Sequence, residues 1–231
     1  MEKLLLSEIA HCLNAECPEE KVITEISTDT RNLPAGCLFI AIKGERFDGH
    51  AFIKQAIENG AAAAVSEYPV DGCPCIVVKN TRTALLKLAK YYRSKFNPVL
   101  VGITGSVGKT TTKEMIALVL SEKYKTLKTQ GNLNNEIGLP KTLFNLDSSY
   151  QAAVIEMGMS DFGEIERLSN TAVPTIGVIT NIGFSHIENL KSQEGILKAK
   201  LEILSGMKSD APLIVNGDDR YLAPLKLELK S

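Results

Sequence analysis

The apolar positions of this chain change period along its length, and the changes divide it. Residues 3–13 carry Leu4, Leu5, Ile9, Ala10 and Leu13 at helical spacing, which predicts a short amphipathic helix. The period then shortens. Residues 22–27 and 37–42 read as strands, separated by a turn-rich run from Asp29 to Gly36. Phe52, Ile53, Ala56 and Ile57 predict a helix that stops at Asn59-Gly60, a glycine C-terminal cap signal. Strands at 61–66 and 75–79 complete a small mixed sheet. Residues 81–96 predict a helix with Leu85, Leu88 and Tyr92 inward and Lys87, Lys90 and Lys95 outward, and Asn97-Pro98 ends it.

From residue 98 onward strands and helices alternate. Val99, Leu100, Val101 and Ile103 form an apolar run without polar alternation, the pattern of a strand buried on both faces. Further strands are expected at 124–128, 152–157, 175–180 and 212–216. Helices are expected from Lys109 to about Glu122 and over 138–146, 163–170 and 193–207. Such alternation predicts an α/β chain: a small mixed α/β N-terminal domain, then a mostly parallel sheet covered by helices on both faces. The expected divisions are 1–80, a connecting helix over 81–97, and 98–231. Ligands of such sheets bind at the carboxyl ends of the strands, which here hold Thr104-Gly105, Glu156, Asn181 and Asn216.

The charge balance narrows the partners. Twenty-six basic and twenty-seven acidic residues leave a net charge of -1, so nothing calls for nucleic acid or an anionic membrane, and any bound anion must be held locally. No apolar run is long enough to span a bilayer, and the acidic, helix-periodic N-terminus is not a signal peptide, so a cytoplasmic location is expected. Cys12, Cys17, Cys37, Cys73 and Cys75 lack zinc-ligand spacing and read as reduced thiols.

The local holder of an anion is the turn after Ile103. Gly105-Ser106-Val107-Gly108-Lys109-Thr110-Thr111 joins the apolar strand to a helix, so backbone N–H groups and the positive helix end can converge on a phosphate. Lys109 would reach the outer phosphates, and a hydroxyl of Thr110 or Thr111 would meet the magnesium ion that travels with a nucleotide. The spacing is a variant of the usual phosphate-loop pattern, with Gly102 one place early and Ile103 where a glycine is expected. Glu156 follows a run of small apolar residues, where a carboxylate needs a partner such as magnesium or a salt bridge. In the first domain, Ser27, Thr30 and Arg31 form one polar segment after a strand, and Lys43, Gly44, Asp48, Gly49 and His50 lie in another. Both suit a sugar nucleotide and are equally compatible with ordinary turn chemistry.

These residues together resemble a known family. Gly105 to Thr111, Gly131 to Pro140 with Asn134 and Asn135, Glu156-Met157-Gly158-Met159, Asn181-Ile182-Gly183 with His186, and Lys198-Ala199-Lys200 with Glu202 are similar to motifs of the Mur ligases. The resemblance covers nearly the whole chain and is strongest to the branch that joins D-Ala-D-Ala to UDP-N-acetylmuramoyl-tripeptide. It implies an ATP- and Mg2+-dependent reaction through an acyl phosphate. Lys109, Lys200 and His186 are then expected in catalysis, and Gly105 to Thr111, Asn134, Asn135 and Asn181 around the nucleotide. Thr110, Thr111, Glu156, His186 and a carbamylated Lys200 are expected around the metal ions. The resemblance also assigns the two polar segments of the first domain to the UDP substrate. It further implies a third, C-terminal domain outside these 231 residues, without which no ligation is expected. The rivals are a folylpolyglutamate synthetase-like ligase and a non-catalytic nucleotide-binding module.

Overall fold

The computed structural model describes residues 1–44 and 47–225; Glu45 and Arg46 of the second polar segment, and 226–231 of the expected central domain, lie outside them. Contacts divide the chain into two compact units, Met1–Tyr92 and Arg93–Ser231. The helix expected as a connector therefore spans the division.

The first unit contains β1 (Leu4–Leu5), α1 (Leu6–Leu13), β2 (Val22–Ile23), β3 (Ile26–Ser27), β4 (Leu38–Ile40), α2 (Ile53–Glu58), β5 (Ala63–Ser66), β6 (Cys75–Val77) and α3 (Thr81–Ser94). The strands β3-β4-β5-β6 form one wholly parallel sheet, and β1 and β2 form a separate antiparallel pair, so the single mixed sheet expected from sequence resolves into two. Leu4 and Leu5 are extended rather than helical because they pair with Ile23 and Val22. The backbone N–H of Leu5 then donates to the Glu8 carboxylate at 2.9 Å, starting α1 one residue later. The strand expected over 22–27 breaks at Thr24-Glu25, its first half serving the antiparallel pair and its second half the parallel sheet. Cys37, Phe39, Ala41, Ile53, Ala56, Ala61 and Ala64 make the core between sheet and helix. The segments after β3 and β4 lie side by side, because those strands are parallel neighbours.

The second unit runs β7 (Val99–Thr104), α4 (Lys109–Ser121), β8 (Thr126–Lys128), α5 (Gly138–Leu143), β9 (Ala152–Glu156), α6 (Glu164–Ala172), β10 (Ile176–Ile179), α7 (Ile187–Leu190), α8 (Gln193–Leu201) and β11 (Leu213–Val215). All five strands are parallel, in the order β11-β10-β7-β9-β8. The first strand in sequence is thus central, and the chain leaves it to opposite sides, which opens a crevice at its carboxyl end. Val101, Ile103, Val154 and Val178 cluster with Ala117 of α4 on one face. The expected helix over 193–207 is α8 followed by a 3-10 turn, Glu202–Gly206. There the two oxygens of the Glu202 carboxylate share the single N–H of Gly163 at 2.8 and 3.0 Å, one of them also accepts the Glu166 N–H at 3.3 Å, and the carboxylate caps the start of α6.

Candidate functional site

The turn from β7 into α4 is held by the strand beside it. Gly105 has φ +151°, and a Cβ there would lie 1.9 Å from Thr180 Oγ1. That hydroxyl is itself committed, donating to the Val107 carbonyl at 2.7 Å. Gly105→Ala is therefore expected to displace the loop at a cost of about 1–3 kcal/mol. Thermal melts should fall by about 2–12 °C, and nucleotide titration should weaken in parallel.

Asn181 braces the same loop. Its side-chain oxygen accepts the Val107 N–H at 3.0 Å, its carbonyl accepts Ser106 N–H at 3.1 Å, and its amide nitrogen donates to the Val107 carbonyl at 3.1 Å. Ser106 and Val107 thus spend their N–H groups on Asn181 rather than on an anion, and Asn181 shapes the loop. Among the N–H groups left to meet a phosphate are those of the first turn of α4, which have no intrahelical acceptor. Lys109 Nζ lies over the loop, donating to the carbonyls of Gly105 at 2.8 Å and Ser106 at 3.4 Å. Burial lowers its proton affinity, and the charge of Glu156 opposes that shift.

The brace is itself anchored from the segment after β11. Asp219 accepts the Ile182 N–H at 2.7 Å and, with its other oxygen, those of Tyr221 and Leu222 at 2.9 and 3.2 Å. Gly183 N–H in turn donates to Ser106 Oγ at 2.8 Å. The Asn216-Gly217-Asp218-Asp219 segment thereby connects through two backbone positions to the loop between β7 and α4.

Glu156, 2% exposed, ends β9 beside Ile103 of β7. One carboxylate oxygen accepts from Thr110 Oγ1 at 3.0 Å, and the other accepts from Asn134 Nδ2 at 2.8 Å. Lys113, 1% exposed, stands 3.8 Å from the oxygen that Thr110 uses. Both threonine candidates are exposed, and it is Thr110 that the structure puts on the carboxylate. Adjacent ligands of an octahedral magnesium shell are about 3.0 Å apart, so Thr110 Oγ1 and the Glu156 oxygen are suitably spaced hard donors. Among the described residues no group of three His, Cys, Asp or Glu side chains gathers. The remaining positions would fall to phosphate and water, the habit of magnesium rather than of zinc or calcium.

Other expected ligands lie apart from this pair or serve the fold. His186 is exposed at the start of α7 with φ 62°, and no described contact joins it to Glu156. The Asn135 side chain accepts the N–H groups of Ile137 and Gly138 at 3.1 and 2.8 Å, shaping the entry to α5. Lys200 is 2% exposed on α8, and burial, helped by the charge of Lys109, lowers its pKa to about 7. Sequence composition reads it as a solvated lysine; only the resemblance singles it out.

In the first unit, Ser27 Oγ and Asp29 form a tight turn, and the Asp29 carboxylate grips the Arg31 guanidinium at 2.6 to 3.2 Å. Thr30 and Arg31 border a cavity of about 390 Å3 with Phe39, Phe47 and Phe52, and the rings of Phe47 and Phe52 stack at 4.9 Å. The backbones of Lys43 and Asp48 pair as an isolated antiparallel β-bridge, Gly44 N–H donates to the Phe47 carbonyl at 2.8 Å, and a Cβ on Gly49 would sit 2.8 Å from Ile42 N. His50 is 5% exposed, its Nδ1 lies 2.6 Å from Asp48 and its Nε2 accepts Glu67 N–H at 3.0 Å. Both ring nitrogens are therefore used, and His50 and Asp48 hold the loop in place.

The Mur ligase middle domain matches residues 103–231, and the Mur ligase family, catalytic domain, matches residues 22–93. The UDP-N-acetylmuramoyl-tripeptide--D-alanyl-D-alanine ligase of Bacillus subtilis (strain 168) is 50% identical over 208 residues, 88% of this chain and 46% of that protein. The chain thus spans about half the length of the curated relatives it matches. MurF from Acinetobacter baumannii superposes with a TM-score of 0.93 at 35% identity, over all (100%) of this chain and 52% of that one. A MurF ligase from Thermotoga maritima in complex with ADP gives 0.82 at 36% identity, over 89% of this chain and 48% of that one. A glycine-lysine-threonine loop at the centre of a parallel sheet, Glu156 beside Thr110, and family matches over both units lead to one conclusion: the chain belongs to the Mur ligase family.

Proposed function

We propose that this chain supplies the UDP-substrate domain and the ATP-binding domain of a ligase that joins D-Ala-D-Ala to UDP-N-acetylmuramoyl-tripeptide. The observation that carries the reading is the approach of Thr110 Oγ1 to the buried Glu156 carboxylate beside the loop lysine, in a chain 50% identical to a relative of that name. ATP would lie with its phosphates at the start of α4, under Lys109. Thr110 and Glu156 would hold a magnesium ion, which when bound draws phosphate and carboxylate charges together. A terminal carboxylate oxygen of the tripeptide attacks the γ-phosphorus and ADP leaves; the D-Ala-D-Ala amine then attacks the carbonyl carbon, and phosphate departs with that oxygen. Two unit charges 4 Å apart repel by about 1 kcal/mol in water and about 4 in a protein-like medium. Lys109 is the residue of this chain that offsets the repulsion at the transferring phosphoryl.

In the first unit, Thr30 and Arg31 at the Phe47-Phe52 cavity would meet the UDP moiety, with Ser27, Lys43, Gly44, Asp48, Gly49 and His50 shaping the two loops. Among the described residues no helix is long and apolar enough to cross a membrane. ATP and UDP-linked precursors are cytoplasmic metabolites, so the proposed reaction is cytoplasmic. Omission assays test the reading: ATP consumption by the native protein should require both UDP-N-acetylmuramoyl-tripeptide and D-Ala-D-Ala. Consumption driven by folate and glutamate instead would replace it with the rival ligase.

Lys200 provides a separate expectation. At a pKa of about 7 roughly half its amines are neutral at pH 7, against about one in three thousand for an ordinary lysine. Carbamylation by carbon dioxide needs that neutral amine, and the carbamate would restore an anion near Lys109. The folded chain binds fewer protons here than the unfolded one between pH 7 and 10.5, so this group's contribution to stability rises with pH across that window. Carbon-13 NMR with labelled bicarbonate should give one slow-exchanging carbamate resonance at pH 8, weaker at pH 6 and lost in Lys200→Ala. An unmodified Lys200 at saturating bicarbonate would refute it.

A further inference from the structure

Lys113 is a buried cation that the mechanism above leaves unused. It stands one helical turn beyond Lys109, 1% exposed, with Nζ 3.8 Å from Glu156 and 3.2 Å from Glu114. Glu114 is paired in turn with Lys128 on β8. Two features of this arrangement are specific. First, 3.8 Å is within ion-pairing range but too long for a hydrogen bond, so Lys113 compensates the Glu156 charge without occupying the oxygen. That oxygen is the one already shared with Thr110, and it stays open to another ligand on its remaining lone pair. Second, the closer partner of Lys113 is a different carboxylate, Glu114, which is half exposed.

A divalent cation at Glu156 and Thr110 would repel the ammonium, and Glu114 is within reach to keep it paired. We propose that Lys113 is a stand-in cation: it neutralises the buried Glu156 while the metal position is empty of charge, and yields Glu156 to the ion while Glu114 keeps it paired. The inference rests on the metal-binding part of the proposed function and adds a positioning residue to it. Its physical basis is that a buried carboxylate stripped of its partner is strongly destabilising, whereas removing both partners is tolerated.

The test is thermal unfolding in EDTA and in millimolar magnesium for wild type, K113Q, K113R and the K113Q/E156Q double variant. K113Q should melt lower than wild type in EDTA, and magnesium should recover it with a gain roughly two to three times that of wild type. K113R should follow wild type. The double variant, lacking both charges, should melt near wild type in EDTA and lose its magnesium response, which keeps the test valid even if K113Q alone does not fold without the ion. Equal magnesium gains in wild type and K113Q would overturn the stand-in role and leave the ligase reading intact. No magnesium response in any of the four proteins would overturn both.

Discussion

Lys109→Ala is expected to abolish ATP-dependent turnover while leaving the binding of UDP-N-acetylmuramoyl-tripeptide unchanged. Nζ of Lys109 lies 2.8 Å from the Gly105 carbonyl, so it is already positioned over the loop that would receive the phosphates. Its depressed proton affinity comes from burial, an environment in which a single charge acts with little screening. Removing one preorganised donor to a developing anion typically costs about 10²–10³ in kcat, and the loss of a full charge should reach at least the upper figure. The loop carbonyls are left without their donor, so ATP affinity should fall as well. Calorimetry with ATP and with the UDP substrate separates the two effects, since Arg31 and Thr30 belong to the other unit. Unchanged turnover would remove Lys109 from the mechanism.

Glu156→Ala should combine loss of activity with loss of stability. The carboxylate accepts from Thr110 and Asn134 and faces Lys113, so its removal leaves a buried ammonium with Glu114 alone as partner among the described residues, and takes the acceptor from two donors. Breaking a buried pair in this way costs about 3–5 kcal/mol, on the order of 6–20 °C in melting temperature for a chain of this size. Glu156→Gln keeps the shape and one acceptor, so it should recover part of the stability and none of the magnesium dependence. Magnesium titration of turnover, beside melts of both variants, checks the split. Equal activity in Glu156→Gln and wild type would contradict a metal role for this carboxylate.

The parts that were legible in the sequence are the ones whose meaning is local. Strand, turn and α4 lie within some twenty consecutive residues, so the apolar run, Gly105 and Lys109 announce a phosphate loop without knowledge of the rest. Glu156 was legible for a related reason: a carboxylate closing an apolar strand is costly unless it is partnered. Lys113 was not, because its approach to Glu156 depends on sheet order. Thr110 and Glu156 are 46 positions apart, and only the placement of β9 beside β7 brings α4 over that carboxylate. A weak signal for Lys113 did exist, since it follows Thr110 by three residues and shares its helical face. His50 differs in another way. Its polar surroundings suggest a ligand, yet Asp48, Glu67 N–H and the Tyr68 ring stacked at 4.9 Å enclose it. The split of 22–27 into β2 and β3 was equally invisible, because two different sheets compete for one apolar run.

The most direct test of the account is the fate of carboxylate oxygen. UDP-N-acetylmuramoyl-tripeptide labelled with oxygen-18 in its terminal carboxylate is incubated with the native protein, ATP, magnesium and D-Ala-D-Ala, and the released phosphate is analysed by mass spectrometry. Attack of that carboxylate on the γ-phosphorus under Lys109 predicts one labelled oxygen in each phosphate released, dependent on all three substrates and absent in Lys109→Ala. Phosphate free of label, with ATP consumed and peptide formed, would contradict an acyl-phosphate route and with it the role assigned to this site.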